Sequence, residues 1–185
     1  MKRSVIAATV LASLFMSAGS FAAEGSTEGQ LTINGKVTET TCQFLSGSEN
    51  TTISMSEIGR DQFENVEVGS PVTTYSNTTS LPLKVKCPGK KEPRITFSST
   101  QFEGPGSNVT RNTGNASGVG FAVFLGKGTD SSNRISGNSP IKIPPATPAT
   151  NDEYELYFTA QYAKAADDVG TGEVSSAITM TVVTD

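Results

Sequence analysis

Apolar side chains in this chain recur at every second position, in short runs, and no stretch beyond residue 22 carries the i, i+3, i+4, i+7 stripe of an amphipathic helix. Each run stops at Gly, Pro, Asn or Ser, the residues that punctuate strands. Residues 81–87 place Leu81, Leu83, Val85 and Cys87 on one face, and residues 94–98 do the same with Ile95 and Phe97. The run from Val119 to Leu125 is the most apolar: Val119, Phe121, Val123 and Leu125 face one way, Ala122 and Phe124 the other, so both faces are expected to be covered. Residues 154–162 alternate as one strand through Tyr154, Leu156, Phe158, Ala160 and Tyr162. Residues 51–58, with Ile53, Met55 and Ile58, and residues 141–143 read as shorter strands. The stretches 59–79, 101–117 and 126–138 read as polar turns and loops. Seven or eight such strands predict an all-β sandwich. Its predicted core is Ile33, Val37, Ile53, Leu83, Val85, Phe97, Phe121, Val123, Leu156, Phe158, Ile178, Met180 and Val182.

Residues 1–22 read as a secretory signal. Lys2 and Arg3 precede a mostly apolar run, and the small residues Ser20 and Ala22 suit cleavage before Ala23. A buried amino-terminal helix would not require that order of basic, apolar and small residues. Without Lys2 and Arg3 the remaining 163 residues carry 12 basic against 18 acidic side chains, a formal charge of −6 that argues against nucleic acid and anionic lipid as partners. Export to an oxidising compartment favours a bond between Cys42 and Cys87 over two free buried thiols.

Catalytic chemistry finds little footing. The chain has no His, which excludes a nucleophile–His–acid site. Its carboxylates, such as Asp61, Glu64, Asp152, Glu153, Asp167 and Asp168, fall in polar turns and read as a solvated surface rather than a hydrolytic pair. Two Cys with no His are a poor metal-ligand set, and neither a phosphate loop nor an EF-hand spacing occurs.

The two ends of the exported chain are more telling. Residues 176–185 alternate, with Ile178, Met180 and Val182 apolar against Thr179 and Thr181, and read as a closing strand with nothing after it to cover its far edge. Residues 23–29 have no large apolar side chain and are expected to be disordered alone, but from Gln30 a second alternating stretch begins with Leu31, Ile33 and Val37. An open strand edge recruits a foreign strand, main-chain bonds giving affinity and alternate side chains specificity. Residue physics leaves two arrangements open: the two stretches pair within one complete sandwich, or they meet in different molecules.

Several ordered motifs bear on that choice. Gly29-Gln-Leu-Thr-Ile-Asn-Gly35-Lys-Val37 followed by Cys42, then Leu81-Pro-Leu-Lys-Val-Lys-Cys87, then Ala116-Ser-Gly-Val-Gly-Phe-Ala-Val, then residues 154–162 and the closing strand, together resemble the pilin subunits of chaperone–usher, type 1-like fimbriae. The resemblance spans the whole exported chain. It implies an incomplete immunoglobulin-like sandwich that lacks its seventh strand and is completed by a strand donated by a neighbouring subunit or a chaperone. Residues 23–35 would be the donor extension, running into the first strand of a pilin domain over residues 30–185. Thr27, Gly29, Leu31, Ile33 and Gly35 would be the donor positions, and Ile178, Met180, Val182 and Thr184 the acceptor and chaperone-contact strand. Cys42 and Cys87 match the family disulfide.

The implied partners are other pilin subunits, in a homopolymer or mixed fibre, with a periplasmic chaperone and an outer-membrane usher during assembly. The implied location is an extracellular fimbrium on a bacterial surface, reached through the periplasm, with host-surface contact made through the fibre. No cofactor, metal or enzymatic activity is implied. One departure is Thr184, where the family commonly has a tyrosine that would bury more area. The alternative is a complete secreted β-sandwich that binds glycan through loops such as residues 101–117.

Overall fold

The computed structural model describes residues 42–88, 93–137, 139–143 and 152–184. Its strands are β1 (Gln43–Phe44), β2 (Asn77–Thr78), β3 (Leu83–Lys86), β4 (Pro93–Phe97), β5 (Phe102–Glu103), β6 (Val109–Thr110), β7 (Val119–Leu125), β8 (Ile141–Lys142), β9 (Glu153–Leu156), β10 (Phe158–Lys164) and β11 (Met180–Thr184). Every pairing between them is antiparallel, in the orders β1-β3-β9, β2-β10-β7, β11-β4-β8 and β5-β6. Among the described residues the only helices are short 3₁₀ turns. The fold is therefore all-β, an immunoglobulin-like sandwich left open along one side.

The longest pair, β7 with β10, runs in register from Phe158 opposite Leu125 to Lys164 opposite Val119. Both faces of β7 are covered, as its apolar run predicts. Val123 and Leu125 join the main core with Leu83, Val85, Ile95, Phe97, Leu156 and Phe158, while Ala122 and Phe124 pack on Val109 and Ala163 behind it. The disulfide Cys42–Cys87 is formed, both residues are buried, and it links the start of β1 to the end of β3.

The Gly-Val-Gly motif at the head of β7 has a steric basis. Gly118 takes a φ of +67°, which L side chains rarely adopt. A Cβ on Gly120 would run into the carbonyl oxygen of Thr110 and crowd Val109. Because the obstacle is backbone, Gly120→Ala is expected to lower stability by about 1–3 kcal/mol, as overpacking does. Urea unfolding checks this, and an unchanged midpoint would contradict it.

Four expectations need correction. Residues 154–162 are not one strand: the ladder breaks at Tyr157, β9 pairs with β3 and β10 with β7. The alternation stays in phase through the break, so periodicity carries no sign of the change of partner. Residues 51–58 alternate in burial, with Ile53 and Met55 half-buried and Thr52, Ser54 and Ser56 exposed, yet they join no ladder. Leu81 does not share the buried face of Leu83 and Val85; it is 73% exposed, ahead of the first β3 pair. The stretches read as polar loops hold buried apolar anchors, Phe63, Val72, Phe102, Val109 and Ile135, and the short strands β2, β5 and β6. The predicted core residues Ile33 and Val37 lie outside the described residues.

Candidate functional site

Five of the predicted core residues, Ile53, Phe121, Ile178, Met180 and Val182, pack against the main core but are only half-buried. Four of them, Ile53, Phe121, Ile178 and Met180, border a groove. Its floor is the inner face of β7 and β10. One wall is the unladdered stretch 49–58, the other residues 170–180 leading into β11.

The groove has two halves that share Met55. The first, about 390 Å³, is bounded by the apolar residues Ile53, Leu83, Phe121, Val123, Phe158, Ile178 and Met180, with Glu49, Asn50, Thr110 and Ser176 among its polar lining. The second, about 530 Å³, is bounded by Phe63, Val119, Tyr162, Val169 and Val174, with the charged residues Glu57, Arg60 and Glu173 at its rim. Phe121 and Tyr162 meet at 5.1 Å on the floor between them, and Phe63 stands edge-on to Tyr162 at 6.5 Å. Burial pushes the Tyr162 phenol above its usual pKa, with Tyr75 and Glu57 adding to the effect. It therefore keeps its proton at neutral pH and donates it to the Ser56 carbonyl at 2.9 Å, tying the floor to the first wall. Thr110, itself buried, ties the floor to the second: its hydroxyl accepts the Phe121 N–H at 2.9 Å and donates to the Ser176 hydroxyl at 2.8 Å.

The walls are strands without ladders. In the first wall the Ser54 carbonyl accepts from the Asn77 amide and the Ser56 N–H donates to the Tyr75 hydroxyl, while the Ser56 carbonyl takes the Tyr162 hydroxyl of the floor. Neither Ile53 nor Met55 has a main-chain partner among the described residues. In the second wall Glu173, Ser175 and Thr179 are tied outward, while the N–H groups of Val174, Ser176 and Ile178 have no partner among the described residues. Both walls thus present alternate apolar side chains and unused peptide groups to the same gap, which is what an added strand requires.

Of the sequence-derived positions, Ile178 and Met180 line the groove, and Val182 and Thr184 continue along β11 opposite Ile95 and Pro93. Met180, Val182 and Thr184 are half-buried, Thr181 and Val183 exposed. The β11 ladder begins at Met180, later than the predicted start at Ser176. The donor positions Thr27, Gly29, Leu31, Ile33 and Gly35 lie outside the described residues. Sequence reasoning missed the second half of the groove. Val169 and Val174 are isolated apolar residues in polar surroundings and carry no periodic signal. Among the described residues no group of three His, Cys, Asp or Glu side chains is placed to hold a metal ion.

The family described as Fimbrial protein matches the chain over residues 31–184. The chain is also 34% identical over 186 residues, covering 100% of both sequences, to the uncharacterized fimbrial-like protein YehD of Escherichia coli (strain K12).

Proposed function

The chain belongs to the fimbrial protein family, and from that premise we propose that it is a structural subunit whose groove accepts residues 23–35 of the next copy in the fibre. The observation that carries this is the pair of unladdered walls facing each other across an apolar floor in which Phe121 is only half-buried. A strand laid between them uses the free peptide groups of both walls. Its alternate side chains, Leu31 and Ile33, would cover Phe121, Ile178 and Met180. Full burial of such a side chain is worth about 1.5–3 kcal/mol. The smaller Thr27 and Gly29 would continue the strand at its weaker-anchored end.

In this reading the subunit does no chemistry. The free energy of assembly comes from completing the fold with a better-fitting strand. Before that exchange a periplasmic chaperone would hold the groove, taking part of its grip from Ile178, Met180, Val182 and Thr184, and an outer-membrane usher would release it. Residues 1–22 would direct export, and the finished fibre would stand on the bacterial surface.

A copy lacking residues 23–35 tests the reading, since it keeps a groove but has no strand to give. Added to assembling full-length chain, it is expected to enter only at one end of each fibre and to shorten fibres in proportion to its share. Electron microscopy of length against mixing ratio, with the short copy tagged, reads this out. Tagged copies distributed along the shaft would sink the proposal.

A further inference from the structure

The second wall of the groove is held by side-chain amides together with two main-chain bonds, from the Thr113 N–H to the Ser175 carbonyl at 2.7 Å and from the Ala116 N–H to the Glu173 carbonyl at 3.0 Å, and not by a continuous ladder. Residues 172–179 precede the β11 ladder, which starts at Met180. Yet their backbone N–H groups are tied at residues 173, 175 and 179. The Thr179 N–H donates to Gln101 Oε1 at 2.6 Å, and Gln101 Nε2 returns a bond to Thr179 Oγ1 at 3.1 Å. The Ser175 N–H donates to Asn112 Oδ1 at 2.8 Å, which also accepts the Gly114 N–H at 2.9 Å. Asn112 Nδ2 donates to the carbonyls of Ala116 at 2.7 Å and Glu173 at 3.4 Å. All four hydrogen-bonding positions of the Asn112 amide are therefore used. Asn115 Oδ1 takes the Glu173 N–H.

The tied residues, 173, 175 and 179, all have odd numbers. Successive peptide groups of an extended chain point to opposite edges, so holding the odd set outward, away from the groove, turns the N–H groups of Val174, Ser176 and Ile178 toward it. We propose that Gln101 and Asn112 are positioning residues for strand capture: their carboxamides accept the Ser175 and Thr179 N–H groups where a continuous ladder would offer carbonyls, and with the main-chain bonds from Thr113 and Ala116 they keep the outer edge of residues 172–179 aligned before any strand arrives. The inference rests on the reading of the groove as a strand acceptor. Alignment in advance removes an ordering cost that would otherwise fall on the capture step.

Two acid substitutions separate this role from general packing, because they have opposite expected effects. In Gln101→Glu the carboxylate still accepts the Thr179 N–H, and the Thr179 hydroxyl turns to donate to it, so behaviour close to the parent protein is expected. In Asn112→Asp the carboxylate donates nothing and faces the carbonyls of Ala116 and Glu173, so an effect as large as that of Asn112→Ala is expected. The measurements are amide hydrogen exchange on the full oxidised chain and the association rate of a fluorescent synthetic peptide with the sequence of residues 23–35. Gln101→Ala, Asn112→Ala and Asn112→Asp are expected to speed exchange at Glu173, Ser175 and Thr179 by about tenfold or more and to slow peptide association comparably, with β7 and β10 amides unchanged.

Parent-like exchange and association in all variants would overturn the proposal, as would slowed association with no change in exchange at those three amides. If the parent protein itself takes up no peptide, the strand-acceptor reading fails, and exchange alone still decides whether the amides hold the wall. Should an Asn112 variant lose β7 and β10 protection as well, the Gln101→Ala and Gln101→Glu pair, at a half-buried site, decides the matter.

Discussion

Joining a second copy of the sequence of residues 23–35 behind Asp185 through a flexible Gly/Ser linker will raise the melting temperature of the oxidised subunit by roughly 10 °C or more and abolish its polymerisation. The size follows from the groove. Covering Leu31 and Ile33 on the floor contributes on the order of 3–6 kcal/mol at the usual burial coefficients. For a domain of this length each kcal/mol moves the midpoint by about 2–4 °C. The ladder formed with the free edges of residues 53–55 and 174–178 adds to that, since each bond in a water-excluded gap is worth about 1 kcal/mol net. Polymerisation stops because the groove is already full. A graft carrying Leu31→Asp and Ile33→Asp keeps the linker and the backbone but buries two carboxylates, and it should give neither effect. An ungrafted monomer that is already stable, and a graft that leaves its midpoint unchanged, would show that the sandwich is complete without a donated strand.

The graft also exposes what the sequence could and could not say. The alternation of Ile178, Met180 and Val182 correctly places these residues toward the core, and the same alternation places Ile53 and Met55. Period two reports which face a side chain takes. It does not report whether a backbone neighbour exists, so residues 51–58 read as an ordinary strand when they are an unladdered wall. For the same reason the break at Tyr157 was invisible, although it sends β9 and β10 to different sheets.

The amides were hidden for a different reason. Gln101, Asn112 and Asn115 sit in a stretch whose composition signals loop, and nothing local distinguishes a side chain that turns back on its own loop from one that holds a segment more than 50 residues away. Asn112 does both, bonding Gly114 and Ser175 through one oxygen. The buried anchors Phe63 and Ile135 are likewise single apolar residues without a period. What was legible was the repeated local pattern; what was not was the long-range use of isolated residues.

Replacing both Cys42 and Cys87 with Ala is the second large effect. The bridge closes a separation of 45 residues, for which chain entropy in the unfolded state gives about 4 kcal/mol. Small domains have only about 5–15 kcal/mol in total, and here Phe121, Ile178 and Met180 along the groove are only half-buried. The Cys-free subunit is therefore expected to unfold near growth temperature and to accumulate poorly. Combining it with the graft turns the loss into a test of mechanism. A constraint on the unfolded chain and a strand added to the native one act on different states, so their effects should add. The grafted Cys-free protein is then expected to fold cooperatively, and the stability gap between oxidised and Cys-free forms should remain about 4 kcal/mol with or without the graft. A gap that shrinks well below this once the groove is filled would mean the bridge acts on the native groove as well. The route would run through β3, whose Leu83 lines the first half of the groove and whose end carries Cys87. Chemical denaturation of the four proteins, read by tyrosine fluorescence, distinguishes the two cases.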